Sequence, residues 1–151
     1  MRLSFTGSPE IRADVATVWS RLLDPTFVAS TAPAIETVEE LDPTHFKAVA
    51  ALGVGALKLR FAMNVELFDL VERESARMRV RGKAPGSILD ATTSFRLEPT
   101  GPKLVRLHWT ADADVGGTVA SVGARLLEGT ARRLAEEFWQ DFADQVSEQD
   151  G

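Results

Sequence analysis

The stretch Leu104–Val146, LVRLHWTADADVGGTVASVGARLLEGTARRLAEEFWQDFADQV, decides how the rest of the chain is read. Side chains alternate across a β-strand. Val105, Leu107, Trp109, Ala111, Ala113 and Val115 therefore share one face, and Arg106, His108, Thr110, Asp112 and Asp114 the other. Gly116-Gly117 is expected to break this strand, and Thr118 to cap the helix that follows. That helix would run for roughly 28 residues, beyond the usual globular range. On a helical wheel Val119, Gly123, Leu126, Leu127, Thr130, Leu134, Phe138 and Phe142 group on one side, with Arg125, Arg132 and Glu136 opposite. Trp139 falls near the edge of the apolar side, where partial exposure is expected.

Upstream, the chain opens with alternation at Leu3, Phe5, Gly7, Pro9 and Ile11, one strand with its proline at an edge or end. Asp14 reads as a helix cap, because Val15, Val18, Trp19 and Leu22 follow at helical spacing. Asp24-Pro25 restarts a second short helix, Thr26–Ser30, which ends before Pro33. Strands then recur: Ile35–Leu41, His45–Leu52, the long alternation Leu57 to Leu67, Met78 to Gly82, and Leu89 to Leu97. Turns are expected at Asp42-Pro43, Gly53-Val54-Gly55, Pro85-Gly86 and Pro99–Pro102. This spacing of strands and turns favours one antiparallel meander.

Composition narrows the class. The 151 residues suggest a single domain, 1–151, able to bury a core without metal or disulfide. A net charge of −5 argues against a general nucleic-acid binder, so no nucleic-acid partner is expected. With no cysteine there is no thiolate catalysis and no Cys-ligated zinc. The N-terminus MRLSFTGSPEI lacks a signal-peptide core, and no run approaches the ~20 apolar residues of a membrane span. A cytoplasmic protein is expected.

A sheet with one apolar face must cover it. The large apolar surface left over is the C-terminal helix. The expected fold is α+β: a seven-stranded antiparallel sheet wrapped around a long C-terminal helix, with two short helices after strand 1, the helix-grip arrangement.

In these elements the sequence resembles the CoxG-like family of carbon monoxide dehydrogenase, within the START/Bet v 1-like (SRPBCC) superfamily. The resemblance rests on Phe5, Gly7, Ile11, Ala13, Val18-Trp19, Leu22 and Asp24-Pro25 near the start. It continues through Gly53, Lys58 and Phe61. It ends with Leu107, Trp109, Val115-Gly116-Gly117, Ala120, Gly123, Arg125-Leu126, Ala131, Phe138 and Phe142. Two departures stand out. The Cys-Ile-Pro-Gly-like turn of the family is Thr31-Ala32-Pro33-Ala34 here, and Pro85–Phe95 is poorer in glycine. Longer members carry a C-terminal extension; with the sequence ending at Gly151, no anchoring tail is expected. The resemblance implies a hydrophobic small-molecule ligand, lipid-like or quinone-like. It also implies partnership with a redox enzyme such as a molybdenum hydroxylase.

The candidate cavity wall is Trp19, Phe27, Phe61, Met63, Phe95, Trp109, Gly123, Leu127 and Phe138. Such a face is either filled or hollow, and the two readings stay open. No catalytic residue, metal ligand or cofactor is assigned. His108 and Asp90 fall on the outer face by parity, His45 has ambiguous parity, and Thr93 points inward but is a poor base. Arg77, Arg79, Arg81 and Lys83 line one outer strand, near Lys58 and Arg60. The simpler reading is a solvated strand with partners such as Glu66 and Asp69; the functional one is transient contact with an anionic membrane surface or an acidic partner. Three functions follow: a non-enzymatic carrier or accessory protein, a polyketide cyclase- or hydrolase-like enzyme using the same cavity, or an interaction module with a filled core.

Overall fold

The computed structural model describes residues 1–32 and 34–150, and side chains through residue 147. Pro33, at the centre of the Thr31–Ala34 turn, and the terminal Gly151 lie outside the described residues. The order is β1 (Arg2–Gly7), β2 (Glu10–Ile11), α1 (Val15–Leu22), α2 (Pro25–Ser30), β3 (Ile35–Asp42) and β4 (His45–Val54). Then come β5 (Leu57–Val71), β6 (Ser75–Ala84), β7 (Ser87–Gly101), β8 (Leu104–Gly117), a 3-10 turn (Thr118–Val122) and α3 (Ala124–Asp150).

The strands form one antiparallel sheet in the order β1-β8-β7-β6-β5-β4-β3, with the two-residue β2 pairing β8 beside β1. This is the expected α+β helix-grip arrangement. The expected single first strand is divided at Ser8-Pro9, because proline has no amide hydrogen for the ladder. Both halves still pair with β8 (Gly7↔Trp109, Ile11↔Val105).

The two short helices start where their caps predict. The Asp14 carboxylate accepts from the Thr17 amide at 2.7 Å, and Asp24 accepts from Thr26 and Phe27 at 3.1 and 3.2 Å. Each cap satisfies amides that would otherwise lack partners at a helix start.

The junction before α3 differs from expectation. Gly116-Gly117 does not break β8: both residues pair with β7, through Ile88↔Gly116 and Ser87↔Gly117. Thr118 does not cap the long helix. Its amide donates to the Gly86 carbonyl at 2.8 Å, and the Val119 amide donates to Ser87 Oγ at 2.9 Å. These bonds fold Thr118–Val122 into a 3-10 turn against the β6–β7 hairpin. Gly123, with φ of +106°, then redirects the chain, and α3 begins at Ala124. That left-handed φ strains any residue with a Cβ. Gly123 therefore stands before the helix and not on its inner face. The turn after β4 is likewise shorter than expected: Val54 pairs with Leu57, leaving Gly55-Ala56 at the tip.

The apolar interior divides into two clusters. The first joins α1, α2, the starts of β6 and β8, the end of β7 and the C-terminal half of α3, with Ile11, Val18, Phe95, Leu107, Trp109 and Phe142 among its members. The second lies at the opposite end of the strands: Leu3, Val54, Phe61, Val115, Val119 and Leu127.

Candidate functional site

The inner face of the sheet is set by register. In the middle of the strands it presents Val65, Met78, Val80, Ala91, Thr93, Ala111 and Ala113. Every one of these is half-buried, although both flanking clusters are fully buried. The helix offers Ala131, Leu134 and Ala135 along the same stretch, also half-buried. Side-chain size accounts for this. Alanine on β7, β8 and α3 leaves volume that leucine or phenylalanine would fill, since packed interiors leave few voids larger than water. The result is a trough under α3, floored by small side chains and closed at each end by an apolar cluster.

Its closed-end wall is aromatic. The Trp139 ring stacks on Trp109 at 5.9 Å and 22°, and meets Phe138 edge-on at 4.8 Å. It also contacts Phe95 and Phe142, at 6.5 and 5.9 Å between centroids. Pairs of this geometry add about 0.5–1.5 kcal/mol beyond the area they bury. The Trp109 indole lies flat over Gly7, its register partner: a Cβ on Gly7 would come within 2.6 Å of Trp109 Nε1. Gly7 thus makes room for the tryptophan. A cleft of about 450 Å³ at the β1 edge is lined by Phe5, Trp109, Arg132 and Glu136, among others. There the Arg132 guanidinium sits over the Phe5 ring at 5.4 Å.

Of the expected wall residues, the structure brings Trp19, Phe27, Phe95, Trp109 and Phe138 to the first cluster. Phe61, Met63 and Leu127 go to the second, and Gly123 lies apart in the junction. Trp139 departs from expectation. It is 7% exposed and central to the aromatic group, not a partly exposed edge residue. The sequence carries a signal for this: Trp139, Phe142, Ala143 and Val146 fall at i, i+3, i+4 and i+7, and all are buried. Leu126, expected on the inner side, is 45% exposed. Phe5, outside the expected wall, packs against both clusters.

The titratable groups with displaced pKa values face outward. Asp90 is held low by its bonds to Arg79, the closer at 3.0 Å. The hydrogen bond from His108 lowers Glu98, and bonds to Asp42 and then Glu66 raise His45. Asp14 is lowered by its cap bond from the Thr17 amide. Among the described residues no group of three or more His, Asp or Glu side chains gathers in a metal-holding arrangement. No described helix is long and apolar enough to cross a membrane.

An eight-strand antiparallel sheet gripping a C-terminal helix over a half-open inner face defines the START/Bet v 1-like class. A START superfamily protein of Mycobacterium smegmatis superposes with a TM-score of 0.74 at 14% identity, over 97% of this chain and 98% of that one. The ZhuI aromatase/cyclase of Streptomyces sp. R1128 does so with a TM-score of 0.72 at 15% identity, over 97% and 94%. A conserved protein of Geobacillus kaustophilus is more similar, with a TM-score of 0.88 at 26% identity over 99% and 98%. No curated protein matches the sequence. Residues 7–147 match the CoxG family of carbon monoxide dehydrogenase, and the chain belongs to that family.

Proposed function

We propose that this protein, acting as one domain over residues 1–151, binds a hydrophobic small molecule in the trough between the sheet and α3. We take it to be a carrier or accessory protein and not a catalyst. The observation that carries this is the half-buried band Val65–Met78–Val80–Ala91–Thr93 between two fully buried clusters. An apolar guest there removes apolar surface from water on both partners. Burying roughly 300 Å² would yield about 7 kcal/mol before the entropic cost of association. Trp109, Phe95 and Phe138 offer ring faces at one end, and Phe61, Met63 and Leu127 an aliphatic and aromatic wall at the other. Such a guest is lipid-like or quinone-like. Membership of the CoxG family supports service to a redox enzyme of the molybdenum hydroxylase kind.

The reading is tested by organic extraction of gently purified protein and mass spectrometry of the extract. Stoichiometric lipid or quinone is the expected result. An empty extract from protein made in a native-like host would overturn it. As a control, Ala91→Leu adds volume to the trough floor and should exclude an apolar fluorescent probe while leaving the fold intact.

A further inference from the structure

The outer face of the sheet carries a second concavity. A trench of about 1080 Å³ crosses six strands, from β3 to β8. It follows the register row Val38, Ala48, Met63, Gly82, Leu89 and Val115, whose side chains belong to the inner face. The residues on either side of that row point outward and form the walls. Five strand spacings make the trench about 24 Å long, the span of about seven extended residues.

Its charges are unevenly satisfied. Lys47 and Arg81 both stand beside Asn64, and Lys83 stands beside Ala62. Three cations thus converge over two short side chains at the middle of the trench. Among the described residues none of the three forms an ion pair. Two lining carboxylates are engaged: Asp90 by Arg79 at 3.0 Å and Asp114 by Arg2 at 3.6 Å. Glu39 lies across the ladder from Lys47 at the β3 end. Toward β8 the wall is apolar, with Ile88 59% exposed. A protein of net charge −5 has acidic surface to spare, yet this outer trench keeps three uncompensated cations at its centre.

We propose that this trench docks an acidic, extended segment of a protein partner, with its carboxylates on Lys47, Arg81 and Lys83 and an apolar side chain on Ile88. Concavity favours a chain segment over a membrane, because a flat surface cannot reach the short residues Ala62 and Asn64. The trench lies on the face of the sheet opposite the trough, so its occupancy is independent of the interior ligand.

The test uses a fluorescent eight-residue peptide of alternating glutamate and leucine, followed by anisotropy at low and moderate salt. Wild type should bind it, more weakly as salt rises. Lys47→Glu/Arg81→Glu/Lys83→Glu should lose at least tenfold in affinity, and Lys58→Glu, outside the trench, should lose nothing. Should the triple variant fail to fold by circular dichroism, Lys47→Ala/Lys83→Ala replaces it and is expected to lose severalfold. No binding by wild type, equal binding by the trench variants, or an equal loss with Lys58→Glu would overturn the proposal. So would binding to anionic phospholipid vesicles, lost in the trench variants, without peptide binding. Uptake of an apolar probe by the trench variants should match wild type; a parallel loss there would also count against two independent sites.

Discussion

The two ends of α3 serve different purposes. From Trp139 to Val146 the helix drives Trp139, Phe142, Ala143 and Val146 into a core shared with α1, α2 and the β8 start. From Ala124 to Thr130 it buries only Leu127 and Thr130 and leaves Leu126 in solvent. The ties differ in the same sense. At the first end the chain turns are held by side chains: His45 to Asp42 and Glu66, His108 to Glu98, Arg106 to Glu10. The other end relies more on main-chain donors, with Met1 to the Val115 carbonyl, Thr118 to Gly86 and Val119 to Ser87 Oγ. One helix therefore acts as core at one end and as a cover at the other. A closed core supplies stability, and the looser end leaves room for a guest to enter and leave.

The sharpest way to break that comparison is to truncate a buried side chain at each end of the helix. Phe142 is 0% exposed and packs edge-on against Phe27 at 5.8 Å. Phe142→Ala should cost about 3–5 kcal/mol in denaturant unfolding. Leu127→Ala removes a buried side chain from the smaller second cluster, whose neighbours can relax toward the trough, and should cost about 2 kcal/mol. Equal losses would mean that both ends are core, and that the helix has no covering end.

Trp109 stands between the two regimes. Trp109→Ala should weaken binding of an apolar probe at least tenfold, whereas Arg79→Ala, on the outer face, should leave it unchanged. Equal effects in a titration would remove Trp109 from the binding wall. Gly7→Ala probes the same ring without deleting it. Its Cβ would meet the indole at 2.6–2.9 Å, so the ring must shift, and probe affinity should fall severalfold with tryptophan fluorescence altered.

How much of this is legible in the sequence depends on which interaction decides each element. Alternation in β5 to β8 assigns the inner face correctly, because burial and the two-residue period act together there. Asp14 and Asp24 announce their helices through local hydrogen bonds. The junction misleads for a tertiary reason. Gly116-Gly117 resembles a strand end, but the closeness of the neighbouring hairpin is what requires Gly117: its φ is +83°, and a Cβ would collide with the Gly86 carbonyl oxygen. A helical wheel begun at Val119 starts too early and takes a phase that places Leu126 inside and Trp139 at the edge. Started at Ala124, the same wheel buries Trp139. The trough leaves a faint trace as a run of small residues, Ala91, Ala111 and Ala113. Sequence cannot tell it from a tightly packed sheet, because the helix height over those alanines is set by the bulky residues at either end.

The smallest effect separates the two ends by pH. The His45 pKa is raised, first by its bond to Asp42 and then by that to Glu66. A raised folded-state pKa means that the tie contributes fully below the unfolded value, near 6.5, and is lost as pH rises through the folded one. Asp14, Asp42 and Glu98 are lowered. Their contributions hold above the unfolded carboxylate range and are lost as pH falls through the folded values. All four groups belong to the end that carries the aromatic core. Hydrogen exchange should therefore show amides near the β3–β4 turn opening slightly faster as pH rises past neutrality, after correction for intrinsic rates. Amides of the 3-10 turn, tied to Gly86 and Ser87, should show no such step. His45→Gln should abolish the step at β3–β4. A step of equal size at both ends, or one that survives His45→Gln, would show that the difference between them is not carried by the side-chain ties.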